Sequence, residues 1–162
     1  MNKQDFRNVC GQFATGVAVV TTANRGQHYG LTVNSFTSVS LDPPLVLFCV
    51  DRMARFNEQI QQSGVLAINF LKKQQKDISN RFANPKLSAE ERFLGVALSK
   101  EHPAPLLADT LAYMECSVEA IHEGGDHYIY VVKVSSGAVN SGDPLLYFGG
   151  NYRSVMPESW SS

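Results

Sequence analysis

The chain has 162 residues, of which 44% are hydrophobic and 18% charged, and its formal net charge is -1. That length suits one domain with an ordinary core, and the composition excludes a disordered or fibrous protein. Near-neutral charge gives no general field for nucleic acid or an anionic membrane, so any bound anion has to be held by a local site.

Phe6, Val9, Cys10 and Phe13 recur at helical spacing behind Asp5, which predicts a short amphipathic helix ending near Gly16. Charged and amide residues interrupt positions 1–13, so this start lacks the apolar stretch of a secretory signal. Positions 17–23 are apolar and β-branched, Asn24-Arg25-Gly26 supplies turn chemistry and 28–33 returns, the pattern of a hairpin. The apolar runs 45–50, behind Pro43-Pro44, and 65–71, behind Gly64, are expected to be fully buried strands. Between them, Phe56 and Ile60 stand on one face of a helix over 55–62 that Gly64 would cap. Ile78 and Phe82 mark a second helix over 73–82. Positions 83–105 have little periodicity and read as the longest irregular segment. Strands over 111–121 and 127–134 flank Glu123-Gly124-Gly125-Asp126, a second hairpin, and 145–148 is the last strand.

No repeat or linker interrupts the chain, which reads as one domain, 1–162, with a core of about 6–155 and a mobile tail over about 156–162. No apolar run reaches the ~18 residues of a membrane span, and a cytoplasmic protein is the default expectation. Cys10, Cys49 and Cys116 are odd in number, widely spaced and set among apolar residues, so they are expected to be reduced core thiols.

Short strands at close intervals with few helices predict a mainly β protein, an antiparallel barrel or sandwich rather than a doubly wound sheet. No G-x-G-x-x-G follows a strand. Gly11 and Gly16 have phosphate-loop spacing, but Val17-Ala18 stands where Lys followed by Ser or Thr is required. A metal site would recruit His122, His127 and Cys116, yet a Gly-Gly turn separates the histidines and no third ligand stands at a recognisable spacing, so no metal is expected. Nor does any cysteine have a histidine at a spacing known for nucleophilic catalysis.

The chemically distinctive stretch is 32–44. Thr32, Asn34, Ser35, Thr37, Ser38 and Ser40 alternate with Val33, Phe36 and Val39. A strand of this kind turns hydroxyl and amide groups to a polar ligand while its other face packs, and an isoalloxazine ring needs that mixture of apolar slot and polar partners. Equally, Ser and Thr populate the exposed faces of ordinary strands.

Gly30-Leu31-Thr32-Val33-Asn34-Ser35-Phe36, continuing through Ser38-Val39-Ser40-Leu41-Asp42-Pro43-Pro44, resembles the signature of the flavin reductase-like family, the small reductase components of two-component flavin monooxygenases. Phe13-Ala14-Thr15-Gly16-Val17, Arg81-Phe82-Ala83, Arg92-Phe93, Pro105-Leu106-Leu107, Gly125-Asp126-His127 and Pro144-Leu145-Leu146-Tyr147-Phe148 agree with it in order, over roughly residues 6–155. The resemblance implies a split β-barrel like that of the flavin-binding pyridoxamine phosphate oxidases, a Greek-key antiparallel barrel. It further implies a homodimer with flavin near the subunit interface, NADH or NADPH as hydride donor, and FMN or FAD passed in reduced form to a partner oxygenase.

Carried over by residue, Thr32, Val33, Asn34, Ser35 and Phe36 with Ser38, Val39 and Ser40 would line the ring and ribityl chain. Asp51 to Arg55 would hold the phosphate end, Arg55 being its charge partner because a guanidinium binds phosphate bidentately. Arg81 and Phe82 would sit close to that end. His127 would lie where nicotinamide stacks and would position it, without acting as a base; as a plain residue, it bonds the turn at Asp126. Tyr152 and Phe148 either cover the nicotinamide or pack the barrel end. The family often has Ser at position 54 and Gly near 132, where this chain has Ala54 and Val132. Two other classes stay open: a flavoprotein that retains its flavin as electron carrier or oxidase, and a non-enzymatic binding barrel.

Overall fold

The computed structural model describes residues 1–99 and 102–155, and the tail expected to be mobile lies outside the described residues. Asn2 caps the first helix, α1 (Lys3–Cys10), by accepting from the Asp5 amide at 2.8 Å. The helix stops at Gly11, short of Gly16, and its apolar side is uncovered, with Phe6 59% and Val9 61% exposed. Helical periodicity reports that one face is apolar and leaves open what covers it.

After the short β1 (Thr15–Gly16), β2 (Ala18–Asn24) and β3 (Gln27–Val33) form the first hairpin. Its turn needs positive φ at both central residues, 49° at Arg25 and 78° at Gly26, and the glycine adopts this without strain. The polar stretch is broken by residues 34–36 before β4 (Thr37–Leu41), so it is not one strand. Then β5 (Pro44–Asp51) alternates between buried and accessible positions, where its apolar run had predicted burial on both faces. Helix α2 (Phe56–Ser63) ends on Gly64 in the left-handed conformation, φ 71°. It is followed by β6 (Val65–Phe70), a 3-10 turn at Lys73–Gln75 and α3 (Lys76–Ala83).

The segment read as irregular holds one further helix, α4 (Ala89–Phe93), started by a capping box in which Ser88 and Glu91 each accept the other's amide. Beyond α4 the chain is tied to the barrel by buried polar groups: Thr21 Oγ1 donates to the Pro105 carbonyl at 2.6 Å and the Leu107 amide to Asn69 Oδ1 at 2.9 Å. The second hairpin, β7 (Ala112–Gly124) and β8 (His127–Val139), is longer than its hydrophobic pattern suggested. After β9 (Leu146–Phe148), the chain turns back into β10 (Asn151–Arg153).

All strand pairings are antiparallel, in a seven-stranded sheet of order β3-β2-β6-β7-β8-β5-β4 and a small sheet β1-β9-β10. The edge strands β3 and β4 of the large sheet are joined by residues 34–36 alone. Those few residues span at most about 14 Å, so the sheet must curl until its edges nearly meet. The result is a barrel left open between β3 and β4. Val20, Val46, Phe48, Ile60, Leu66, Ile68, Tyr130 and Val132 fill it. A second cluster of Val17, Val19, Leu71, Phe82, Leu107 and Leu145 lies outside the sheet, under α3 and β9.

The cysteines do not share one environment: Cys10 is exposed, Cys49 half-buried and Cys116 buried. Burial pushes the Cys116 thiol up to about 12 and raises Cys49 as well. A thiol reagent at neutral pH is therefore expected to label Cys10 at once and the other two only on unfolding; equal labelling of all three in the native protein would contradict this packing.

Candidate functional site

A groove of about 680 Å³ opens beside the split, between β3, the turn at 52–56 and residues 83–92. Gly30, Leu31, Ala54, Arg55, Lys86 and Arg92 line it. At Gly30 only hydrogen fits, because a Cβ would stand 2.5 Å from Phe82 Cε1. Phe82 itself is fully buried and meets Phe93 edge to face at 4.9 Å, so it stands behind the groove wall rather than in the groove. Arg92 ties the wall together: Nη1 donates to the Gly30 carbonyl and Nη2 to the Asn84 carbonyl, both at 2.8 Å. Arg55 is exposed at the start of α2, with no side-chain bond to the helix.

Asp51 shapes the turn that presents Ala54 and Arg55. Its carboxylate accepts from the Met53 amide at 2.8 Å, and its carbonyl accepts from Asn57 Nδ2 at 2.8 Å. Arg81 is half-buried, and its Nη1 donates to the Leu94 carbonyl, which holds the segment after α4 against α3.

Several groups in the polar stretch are committed to the protein itself. Thr32 Oγ1 donates to the Ser79 carbonyl at 2.7 Å, and the Ser35 hydroxyl accepts from the Cys49 amide at 2.9 Å while donating to the Cys49 carbonyl at 3.2 Å. Ser35 thus stitches the connection between the barrel's two edges onto β5. Val33 is buried and Phe36 packs edge to face on Phe70 at 4.9 Å. Asn34 is exposed in a second cleft of about 620 Å³ with α1, Thr15 and Tyr147. Ser38 and Val39 face outward on β4, and Ser40 is half-buried beyond the bulge there.

His127 pairs in register with Asp51 across β5 and β8, which sets it beside the turn of the groove. Its Nδ1 lies 2.7 Å from Asp126 Oδ1, and that contact holds the Asp126 carboxyl below its usual range. The side chain of His127 is 44% exposed. Tyr152 is half-buried against Tyr147 and shares a 2.7 Å hydrogen bond with Ser79. Cys116 faces the core while His122 is exposed, and the described residues contain no group of three or more metal-ligating side chains. No helix among them is long and apolar enough to cross a membrane.

The structure thus gathers Ala54 and Arg55 in one groove and Asn34 in another cleft, with Asp51 and His127 at the turn between strand ends. Lys86, Arg92 and Ser79 were not singled out as site residues. The Arg92-Phe93 pair and the capping signal from Ser88 to Glu91 were the available clues, since a capped helix there brings Arg92 back toward β3.

Residues 10–156 match the family described as Flavin reductase like domain. The chain is 36% identical over 162 residues to the flavin-dependent monooxygenase reductase subunit HsaB of Mycobacterium tuberculosis (strain ATCC 25618 / H37Rv), covering 98% of this chain and 85% of that protein. It is 36% identical over 153 residues to an NADH-dependent flavin reductase of Rhodococcus sp, covering 93% of this chain and 85% of that one. The fold superimposes with a TM-score of 0.90 on the NADH:FAD oxidoreductase SgcE6 of Streptomyces globisporus C-1027, solved with NAD and FAD fragments, at 35% identity, covering 98% and 95% of the two chains. With the split barrel and matches over nearly the whole length, this chain belongs to the flavin reductase-like family.

Proposed function

We propose that this chain is an NAD(P)H:flavin oxidoreductase that takes FMN or FAD as a diffusing substrate and supplies the reduced flavin to a separate oxygenase. The observation that carries the reading is the groove beside the barrel split, lined by Gly30 and Leu31 of β3 and by three cations, Arg55, Lys86 and Arg92. Glycine at position 30 lets β3 lie close against Phe82 behind the groove, and the cations suit a phosphate tail. The NADH-dependent relatives support the donor, and the reductase subunits among them support the oxygenase partner.

The flavin accepts a hydride from nicotinamide, a transfer that needs stacking and alignment more than proton movement. Within this reading, Arg55 holds the phosphate, Gly30 and Leu31 border the ribityl chain, and Asn34, Ser38, Val39 and Ser40 lie toward the ring. Thr32, Val33, Ser35, Phe36, Arg81 and Phe82 support that surface from behind through the bonds and packing described above. Asp126 fixes the ring of His127, which positions the nicotinamide. Tyr152, bonded to Ser79 behind Thr32, closes the barrel end.

The same reading places two copies together. Leu41 is 96% and Val39 48% exposed on the edge strand β4, and α1 leaves Phe6 and Val9 uncovered, apolar surface that a second copy of the chain would bury. A cytoplasmic location fits use of NADH.

The test is NADH oxidation by the purified protein, with and without added FMN. The expected rate rises with FMN concentration and is close to zero without it. Equal rates with and without FMN would overturn a diffusing flavin and favour a retained one, whereas no oxidation and no quenching of flavin fluorescence would favour a binding barrel.

A further inference from the structure

We infer that Arg92 is a selectivity residue of the groove, the cation that, together with Arg55, makes this protein prefer phosphorylated flavins over uncharged riboflavin. The inference rests on the proposed flavin reading and adds a role for a residue that lines the groove while tying its wall together. Arg92 spends two donors on neutral backbone carbonyls, those of Gly30 and Asn84. These bonds orient the guanidinium without neutralising it. No carboxylate pairs with it among the described residues, and the adjacent Glu91 is turned to the Ser88 amide at 2.7 Å. Its Nε is the one buried side-chain nitrogen or oxygen among the described residues that finds no hydrogen-bond partner.

A half-buried, unpaired cation is costly, and burial indeed lowers the pKa of Arg92 from the usual arginine range. Holding two neutral carbonyls does not by itself require a charge. The charge gains a partner when an anion enters the groove that Arg92, Arg55 and Lys86 line together. Because the guanidinium is partly shielded from water, its field reaches a phosphate in the groove with less screening than that of a surface lysine.

The experiment titrates FMN and riboflavin separately into the full-length protein, following flavin fluorescence, for the unaltered chain, Arg92→Gln and Arg92→Lys. Arg92→Gln is expected to raise the Kd for FMN by about tenfold or more and that for riboflavin by less than about threefold, the range for loss of one charge-assisted contact. Arg92→Lys keeps the charge and is expected to keep the ratio of the two affinities. Equal factors for FMN and riboflavin in Arg92→Gln, or a ratio lost equally in both variants, would overturn the inference. Should Arg92→Gln not fold, the double variant Arg55→Ala with Lys86→Ala decides: with Arg92 the remaining cation of the three, FMN must still bind better than riboflavin, and no remaining preference would overturn it. Failure of the flavin reading itself is separate, since the unaltered protein would then bind neither flavin.

Discussion

Replacing Phe82 with alanine is expected to lower the unfolding free energy by about 3–5 kcal/mol, the range for removing a buried aromatic ring. Phe82 has no exposed surface, packs edge to face on Phe93 and lies in the cluster with Val17, Val19, Leu71, Leu107 and Leu145. Its ring also sets what position 30 can be, because a Cβ at Gly30 would stand 2.5 Å from it. Gly30→Ala alone should therefore cost about 1–3 kcal/mol by overpacking. In the Phe82→Ala background, the new methyl enters the space that the ring left, and the double variant should be more stable than the two single losses predict by roughly 1 kcal/mol or more. Urea denaturation of the four proteins measures this cycle. Strict additivity would show that the contact between the groove floor and the core does not govern either residue. In the same series, FMN and riboflavin should weaken together, because the damage is to the shape of the wall.

Arg55→Ala is expected to act in the opposite way, leaving stability nearly unchanged and weakening FMN about 10- to 100-fold while riboflavin changes less than about threefold. Arg55 is exposed and makes no side-chain bond to α2, so its removal opens no cavity and deletes no cap. What is lost is a charged fork at the mouth of the groove, beside the positive end of a helix dipole. Fluorescence titration gives both affinities and thermal unfolding the control. An equal loss for both flavins would remove the phosphate role from Arg55. Ala54 offers no hydroxyl of its own, which increases the share that falls to Arg55.

The hairpin turns were legible because Asn24-Arg25-Gly26 and the glycines at 124 and 125 report local backbone needs that few other residues meet. Helix α2 was legible for the same reason, with Phe56 and Ile60 one turn apart and Gly64 at its end. The exposure of Cys10 and of the apolar side of α1 was not, because periodicity records a face without recording its neighbour. Likewise, β5 alternates although its sequence is uniformly apolar, since half of its side chains meet the barrel interior and half the opposite face.

By itself, then, the sequence determined the strand-rich architecture, its turns and its kinship, all of which depend on residues close together in the chain or on motifs kept in order. The tertiary structure decided what each polar group does. Ser35 is spent on Cys49, Thr32 on Ser79, Phe82 stands behind Gly30, and Arg92 is carried back to the same groove as Arg55. Hydrogen-bond partners and burial are set by segments distant in the chain that the curled sheet brings together, and no local pattern contains that information.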